Sequence, residues 1–132
     1  MGLDLTIYKE KKNGKRLELA DFGSAGWSIV TYFAKKLDNK DLYNTEVRVT
    51  VAESRELIES CKEVLLSYYN RSFDNPNSWV DVAIAVFDTY DEDYYDEYDA
   101  AYIDNISTIY EELWKIQEEY YDDEILIFDI NY

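Results

Sequence analysis

One helical pattern restricts the fold of this chain more than any other feature. Large apolar residues recur at spacings of three and four positions, which is the period of one face of an α-helix. They are Tyr95, Tyr98, Tyr102, Ile106, Ile109, Leu113 and Ile116. The acidic residues Asp104, Glu111 and Glu112 fall off this stripe. The pattern predicts one long amphipathic helix from about residue 92 to about residue 118.

The start of this predicted helix lies in an unusually acidic segment, DTYDEDYYDEYD, at residues 88–99. The formal net charge of the chain is -16, and its distribution is uneven. Residues 1–66 hold 11 basic and 11 acidic residues, whereas residues 67–132 hold only Arg71 and Lys115 against 18 acids. A field of this sign repels nucleic acids and anionic membranes and attracts basic proteins. A disordered acidic linker would not keep the phase of the stripe, so we expect an ordered acidic surface.

Alternating apolar residues predict strands elsewhere in the chain. Leu3, Leu5 and Ile7 alternate with polar residues, and Asn13-Gly14 predicts a tight hairpin turn in which both central residues have positive φ. Further strands are predicted at residues 45–51 (TEVRVTV), 79–87 (WVDVAIAVF) and 124–130 (EILIFDI).

Two shorter helices are predicted between these strands. Ser24 is a candidate cap for a helix with the apolar side Trp27, Val30, Phe33, Ala34 and Leu37. Thr50 and Glu53 have the spacing of a capping box, and the helix after them has the apolar stripe Leu57, Ile58, Cys61, Val64, Leu65 and Tyr68. The predicted order is β-β-α-β-α-β-α-β. We therefore expect residues 1–132 to form a single α+β domain, with a mostly antiparallel sheet of about five strands and three helices.

No catalytic or metal-binding motif stands out in the sequence, and no pair among its 29 acidic residues is marked as catalytic. The chain has no histidine and one cysteine, Cys61, which lies on an apolar stripe and is expected to be a core residue. Asp91 and Asp93 fit the start of a calcium loop, but Tyr95 stands where the third ligand should be. We interpret Gly23-Ser24-Ala25-Gly26 as a tight entry into a helix rather than as an anion-binding helix start. We expect no enzyme activity, no metal and no cofactor.

No apolar run approaches the roughly 18 residues of a membrane span, and the N-terminus lacks the apolar core of a signal peptide. A single cysteine cannot form an internal disulfide. These features predict a soluble cytoplasmic protein that does not bind a membrane.

The opening MGLD and the order of segments after it resemble a group of small phage and prophage proteins that begin Met-Gly-Leu-Asp. The shared layout comprises an aromatic helix (GWSIVTYF), a strand and a helix with glutamates and a cysteine (VTVAESRELIESCKEVL), and a tyrosine-rich acidic segment before the last helix. The chain departs from the group after Asp4. The resemblance implies a phage origin and a bacterial cytoplasm, and it carries over no site residues.

In charge, size and phage character, the chain is similar to DNA-mimicking anti-CRISPR and anti-restriction proteins. If residues 88–99 are helical, their seven carboxylates occur about every 2.6 Å, within a factor of two of duplex DNA. We therefore expect an inhibitor of a basic nucleic-acid-binding host protein, either a CRISPR effector nuclease or a restriction enzyme, that does not itself bind nucleic acid. The predicted contact residues are Asp88, Tyr90, Asp91, Glu92, Asp93, Tyr94, Asp96, Glu97 and Asp99.

Two other interpretations remain open at this stage. The acidic half could be only a solvated face of a phage accessory or structural protein. The carboxylates could alternatively hold a divalent metal in a small-molecule-binding or hydrolytic protein. The sequence leaves the oligomeric state open.

Overall fold

The computed structural model of the protein describes residues 2–67 and 97–132, and side chains are described for residues 2–65 and 101–132. The elements in chain order are β1 (Asp4–Glu10), β2 (Arg16–Asp21), a 3₁₀ turn (Gly23–Gly26), α1 (Trp27–Lys36), β3 (Thr45–Thr50), α2 (Arg55–Ser67), α3 (Glu97–Glu119) and β4 (Ile125–Asn131). The predicted α+β class and the antiparallel sheet are confirmed. The described residues contribute four strands and three helices, and the strand predicted at residues 79–87 lies outside them.

The sheet has the strand order β2-β1-β4-β3, and every neighbouring pair is antiparallel. The last strand in the sequence, β4, therefore lies between β1 and β3. Leu5 pairs with Ile130 and Ile7 with Phe128, which places alternate apolar residues of both strands on one face. This central position joins the acidic C-terminal half of the chain to the neutral N-terminal half.

The described helices pack on that one face and form a single core with it. Phe128 is fully buried, and its ring centre lies 4.9 Å from that of Phe33 on α1 in an edge-on arrangement. Helix α3 contributes Ile106 and Leu113 to the same core. Full burial of each such side chain stabilises the fold by about 1.5–3 kcal/mol relative to leaving it exposed.

The opposite face of the sheet carries two ion pairs between described residues. Ile127 points away from the helices, yet it has no exposed surface. Arg48 Nη1 lies 2.6 Å from Glu10 Oε1, and Arg16 donates two hydrogen bonds to Glu46, at 2.7 and 2.9 Å. Arg16 and Glu46 belong to opposite edge strands, which would lie about 14 Å apart in a flat sheet. Their contact therefore spans all four strands of the described sheet.

The β1–β2 hairpin is confirmed, but the predicted turn type is wrong. Gly14 has a φ of 79°, whereas Asn13 does not have positive φ. The Gly14 N–H donates to the Lys11 carbonyl and the Lys11 N–H to the Lys15 carbonyl, at 2.9 and 2.8 Å. This is the three-residue hairpin loop, in which a type I turn is followed by a left-handed glycine. The Asn13 side chain accepts a hydrogen bond from Lys15 N–H instead of adopting the left-handed conformation.

The predicted start of α1 is also wrong in detail. The helix begins at Trp27, its N-cap is Gly26, and no side chain caps it, so Ser24 does not have the predicted role. The buried side chains of α1 are those of Ile29, Val30 and Phe33. Trp27 and Leu37, assigned to the apolar side from spacing, are 43% and 50% exposed. Val30 and Phe33 are buried as predicted and Ala34 is partly buried, so the buried face of α1 includes Ile29 but neither Trp27 nor Leu37.

The predicted start of α2 is confirmed. Glu53 N–H donates to Thr50 Oγ1 at 3.0 Å, and Thr50 N–H donates to Glu53 Oε1 at 3.1 Å. This reciprocal pair satisfies two backbone donors that the helix leaves without partners. Cys61 is buried, as expected of a core residue, and burial raises the pKa of its thiol to about 12.

Helix α3 ends at Glu119, close to the predicted end, while residues 92–96 lie outside the described ranges. Ile106, Ile109, Leu113 and Ile116 are buried as predicted. Tyr102 is instead 41% exposed. In the described parts of the chain, no helix has the length and apolar character required to cross a membrane.

Candidate functional site

The exposed side of α3 carries a concentrated array of carboxylates. Because each helical residue advances the direction of the side chain by about 100°, these residues all lie within about 60° of Lys115 around the helix axis. They are Asp104, Glu111, Glu112, Glu118 and Glu119, and we call them the acidic stripe. The buried residues of α3, such as Ile106 and Leu113, are at least about 100° away from Lys115. The helix therefore separates a carboxylate face from a core face.

Lys115 lies in the middle of the acidic stripe. Its Nζ is 3.1 Å from Glu111 Oε1 and 3.6 Å from Glu112 Oε1. The hydrogen bond to Glu111, together with the charges of both glutamates, raises the pKa of Lys115, so it remains protonated at neutral pH. The stripe therefore carries five carboxylates against one lysine.

The other three carboxylates of the stripe make no ion pair with a described residue. Among the described residues, no lysine or arginine nitrogen lies within 4 Å of the carboxylates of Asp104, Glu118 or Glu119. Trp114 Nε1 donates a hydrogen bond of 3.0 Å to Glu118 Oε1, which orients that carboxylate. These three side chains are exposed. They are therefore available to a cationic partner.

Acids beyond the end of α3 are used differently. Glu124 lies 2.7 Å from Lys9 Nζ, which itself lies over the ring of Tyr120. Asp122 makes an ion pair with Arg55. The hydrogen bond from Lys9 lowers the pKa of Glu124, and the same contact raises the pKa of Lys9. Bases from the neutral half of the sequence thus neutralise part of the acidic half, because β4 lies beside β1 and β3.

The structure describes few of the contact residues predicted from sequence. Asp88, Tyr90, Asp91, Glu92, Asp93, Tyr94 and Asp96 lie outside the described residues. Glu97 and Asp99 belong to the first turn of α3. The side chains of both residues lie outside the described ranges.

Sequence reasoning did not identify the acidic stripe as one surface. The sequence predicts Asp104, Glu111 and Glu112 only to lie off the apolar stripe, and Glu118 and Glu119 only to extend the acidic patch of residues 88–99. The signal that identifies them is their own spacing, because positions 104, 111 and 118 recur every seven residues along one helix face. Local charge density is instead highest at residues 88–99, and the predicted contact residues therefore lie in that segment.

Within the described ranges, no three acidic or cysteine residues converge in a way that could hold a metal ion.

The glycine-rich turn packs tightly on β1, because a Cβ added to Gly26 would lie 2.9 Å from Leu5 Cβ. The 3₁₀ turn thus brings α1 close to the sheet.

Comparisons with protein-family models, with curated proteins and with solved structures find no match to this chain.

Proposed function

We propose that the protein is a phage-encoded acidic inhibitor of a host defence protein that binds nucleic acid. The partner would be a CRISPR effector nuclease or a restriction enzyme, and the inhibitor would occupy its basic DNA-binding channel. The acidic stripe of α3 is the observation that carries this proposal. It presents exposed carboxylates on one face of an ordered helix, with one lysine among them.

The spacing of the stripe supports charge mimicry. From Asp104 to Glu119, α3 rises about 22 Å, so its five carboxylates are on average about 5.6 Å apart along the axis. One strand of DNA carries a phosphate about every 3.4 Å. A basic groove shaped for a phosphate backbone would therefore meet negative charge at a density within a factor of two of that of one DNA strand.

The stripe is also held rigidly. The opposite side of α3 is in the core, and Gln117 Nε2 donates hydrogen bonds to the Val51 carbonyl at 2.8 Å and to Ser54 Oγ at 2.6 Å. These bonds fix the C-terminal part of α3 to the start of α2. An array ordered before binding loses little conformational freedom when a partner engages it.

The net charge of -16 favours a basic protein as the partner over a nucleic acid, because like charges repel. CRISPR effectors hold the guide–target duplex in positively charged channels and read their flanking motif with arginines. Binding driven by charge should be fast at low salt and should weaken steeply as salt rises.

Capture of partners from bacterial lysate tests the proposal. The stripe variant carries D104N, E118Q and E119Q, which remove three charges without breaking an ion pair between described residues. The matched control carries D4N, E18Q and D38N, which remove three exposed charges from the N-terminal half. We expect wild type and control to retain a basic nuclease at 50 mM salt and release it at 500 mM, and the stripe variant to retain at most a tenth as much.

A second variant tests the segment predicted from sequence. It converts five acids to serine, namely Asp91, Glu92, Asp93, Asp96 and Glu97. We expect this variant also to lose capture while its unfolding midpoint stays close to that of the wild type. Capture of no basic nuclease by the wild type, or equal capture by all variants, would contradict the proposal and favour a merely solvated acidic face.

A further inference from the structure

A groove of about 780 Å³ lies among α1, α2 and α3, on the side of α3 away from the acidic stripe. Its floor is apolar and includes Leu57, Cys61 and Ile106, which are all buried. Trp27 and Tyr102 line its rim and are 43% and 41% exposed. The volume is in the range of pockets that hold a small ligand or a few side chains.

One end of the groove is closed by polar side chains that are already paired. Lys36 Nζ lies 2.6 Å from Glu56 Oε2, and the Tyr32 hydroxyl donates a hydrogen bond to the same carboxylate. The hydrogen bond from Lys36 lowers the pKa of Glu56. Burial and the neighbouring Glu56 raise the pKa of Tyr32 to about 12. This end therefore contributes shape rather than an available charge.

The wall formed by α2 carries two more carboxylates. Glu59 has a weak contact with Lys62, at 3.9 Å. Glu63 is exposed, and in the described part of the chain no basic nitrogen lies within 4 Å of its carboxylate. Lys35 lines the groove from α1, so cationic groups are favoured on the α2 side and disfavoured on the α1 side. The groove thus combines an aromatic rim, an apolar floor and one acidic wall.

We propose that this groove binds a peptide segment that carries arginine beside apolar residues. The planar guanidinium group of arginine stacks on aromatic faces and also pairs with carboxylates, so one side chain can contact Trp27 or Tyr102 and Glu63 together. Leucine-sized neighbours would fill the floor. The net charge of -16 attracts such a cationic segment and disfavours a second copy of this chain in the groove.

A cluster of aromatic rings extends this surface beyond the groove. The ring of Trp27 lies 5.2 Å from that of Tyr132, which lies 5.6 Å from that of Tyr43. Tyr43 is 52% exposed. Exposed aromatic residues of this kind dominate the affinity of many protein interfaces. A segment longer than one side chain would continue from the groove onto these rings.

The site is separate from the acidic stripe, because Tyr102 and Ile106 lie about 140° and 180° from Lys115 around the axis of α3. It goes beyond the proposed inhibitory function and can be tested without knowledge of the partner. A fluorescein-labelled ten-residue peptide of alternating leucine and arginine is the probe. Peptides with citrulline or lysine at the arginine positions test charge and planarity separately.

Fluorescence anisotropy at 150 mM salt measures binding of each peptide to the full chain. We expect saturable one-to-one binding of the arginine peptide, at least threefold weaker binding of the lysine peptide and at least tenfold weaker binding of the citrulline peptide. The variant E59Q/E63Q should weaken binding of the arginine peptide at least tenfold, and so should W27A. The variant E118Q/E119Q, which removes the same charge from the acidic stripe, should change binding less than twofold.

Equal weakening by E59Q/E63Q and E118Q/E119Q would show general charge attraction and overturn the groove proposal. Equal binding of the arginine and citrulline peptides, or no saturable binding, would also overturn it. If the thermal unfolding midpoint of each variant lies within about 3 °C of that of the wild type, a loss of peptide binding is local to the groove. Peptide binding in the groove does not require the acidic stripe. Failure of the groove proposal therefore leaves the inhibitor proposal standing, and failure of the inhibitor proposal leaves the groove proposal standing.

Discussion

Substitution of Gly26 by alanine tests how closely the turn before α1 packs on the sheet. The added Cβ would lie 2.9 Å from Leu5 Cβ and 3.2 Å from Leu5 Cδ1, whereas carbon atoms in favourable contact are about 3.5–4 Å apart. Leu5 Cβ is attached directly to the backbone of β1, which is held between β2 and β4. Leu5 therefore cannot relieve the clash by rotating its side chain, and the turn must shift.

Overpacking of this kind costs about 1–3 kcal/mol of the free energy of unfolding, which corresponds to a fall in Tm of roughly 3–15 °C for a chain of this length. Because Trp27 follows Gly26 directly, the shift would also displace the rim of the groove. Urea denaturation followed by circular dichroism measures the effect. Gly2→Ala is the control, since nothing lies within 4 Å of its added Cβ. An unchanged midpoint for G26A would refute the close approach of turn and sheet.

Three further substitutions or reactions test other parts of the fold. Thr50→Ala should reduce the free energy of unfolding by about 0.5–2 kcal/mol through loss of the α2 cap, whereas Glu53→Gln should retain most of it, because glutamine also completes a capping box. Cys61 should react with a thiol reagent at least a hundredfold more slowly in the native protein than in urea at pH 8, because burial raises the pKa of its thiol to about 12. Since Lys9 lowers the pKa of Glu124, their ion pair should contribute stability at neutral pH and lose it as pH falls below about 4.5, so the Tm difference between wild type and E124Q should shrink toward pH 3.

The described strands and helices were predictable because their signals are local. Alternation in β1, β3 and β4 and the three-four spacing in α2 and α3 follow directly from the periods of strand and helix. The Thr50–Glu53 capping box is likewise specified by residues three positions apart. These features depend little on the rest of the molecule.

Features set by tertiary packing were not predictable from the same patterns. The spacing predicts Trp27 on the buried face of α1, whereas Trp27 is 43% exposed at the first position of the helix, directly after the 3₁₀ turn. The hairpin turn has one left-handed residue, Gly14, whereas the sequence predicts two, Asn13 and Gly14. At α1 the turn contacts the distant residue Leu5, whereas in the hairpin local hydrogen bonds, including the one from Lys15 N–H to the Asn13 side chain, accompany the observed turn.

The charge pattern shows the same limit for the candidate site. The sequence divides into a neutral and an acidic half, but the neighbouring positions of β1 and β4 bring Lys9 to Glu124, 115 positions later in the chain. Only the pairing of distant strands reveals which carboxylates are neutralised. The acidic stripe on α3, in contrast, follows from helical phase and could have been found from sequence.

A competition assay tests the proposed function most directly. Labelled duplex DNA is bound to the nuclease captured from lysate and titrated with wild-type protein, with D104N/E118Q/E119Q and with D4N/E18Q/D38N. We predict that wild type and the control displace DNA at equal concentrations, that the stripe variant requires at least ten times more, and that the difference narrows as salt rises. Displacement by all three proteins at the same concentration would contradict charge mimicry by α3.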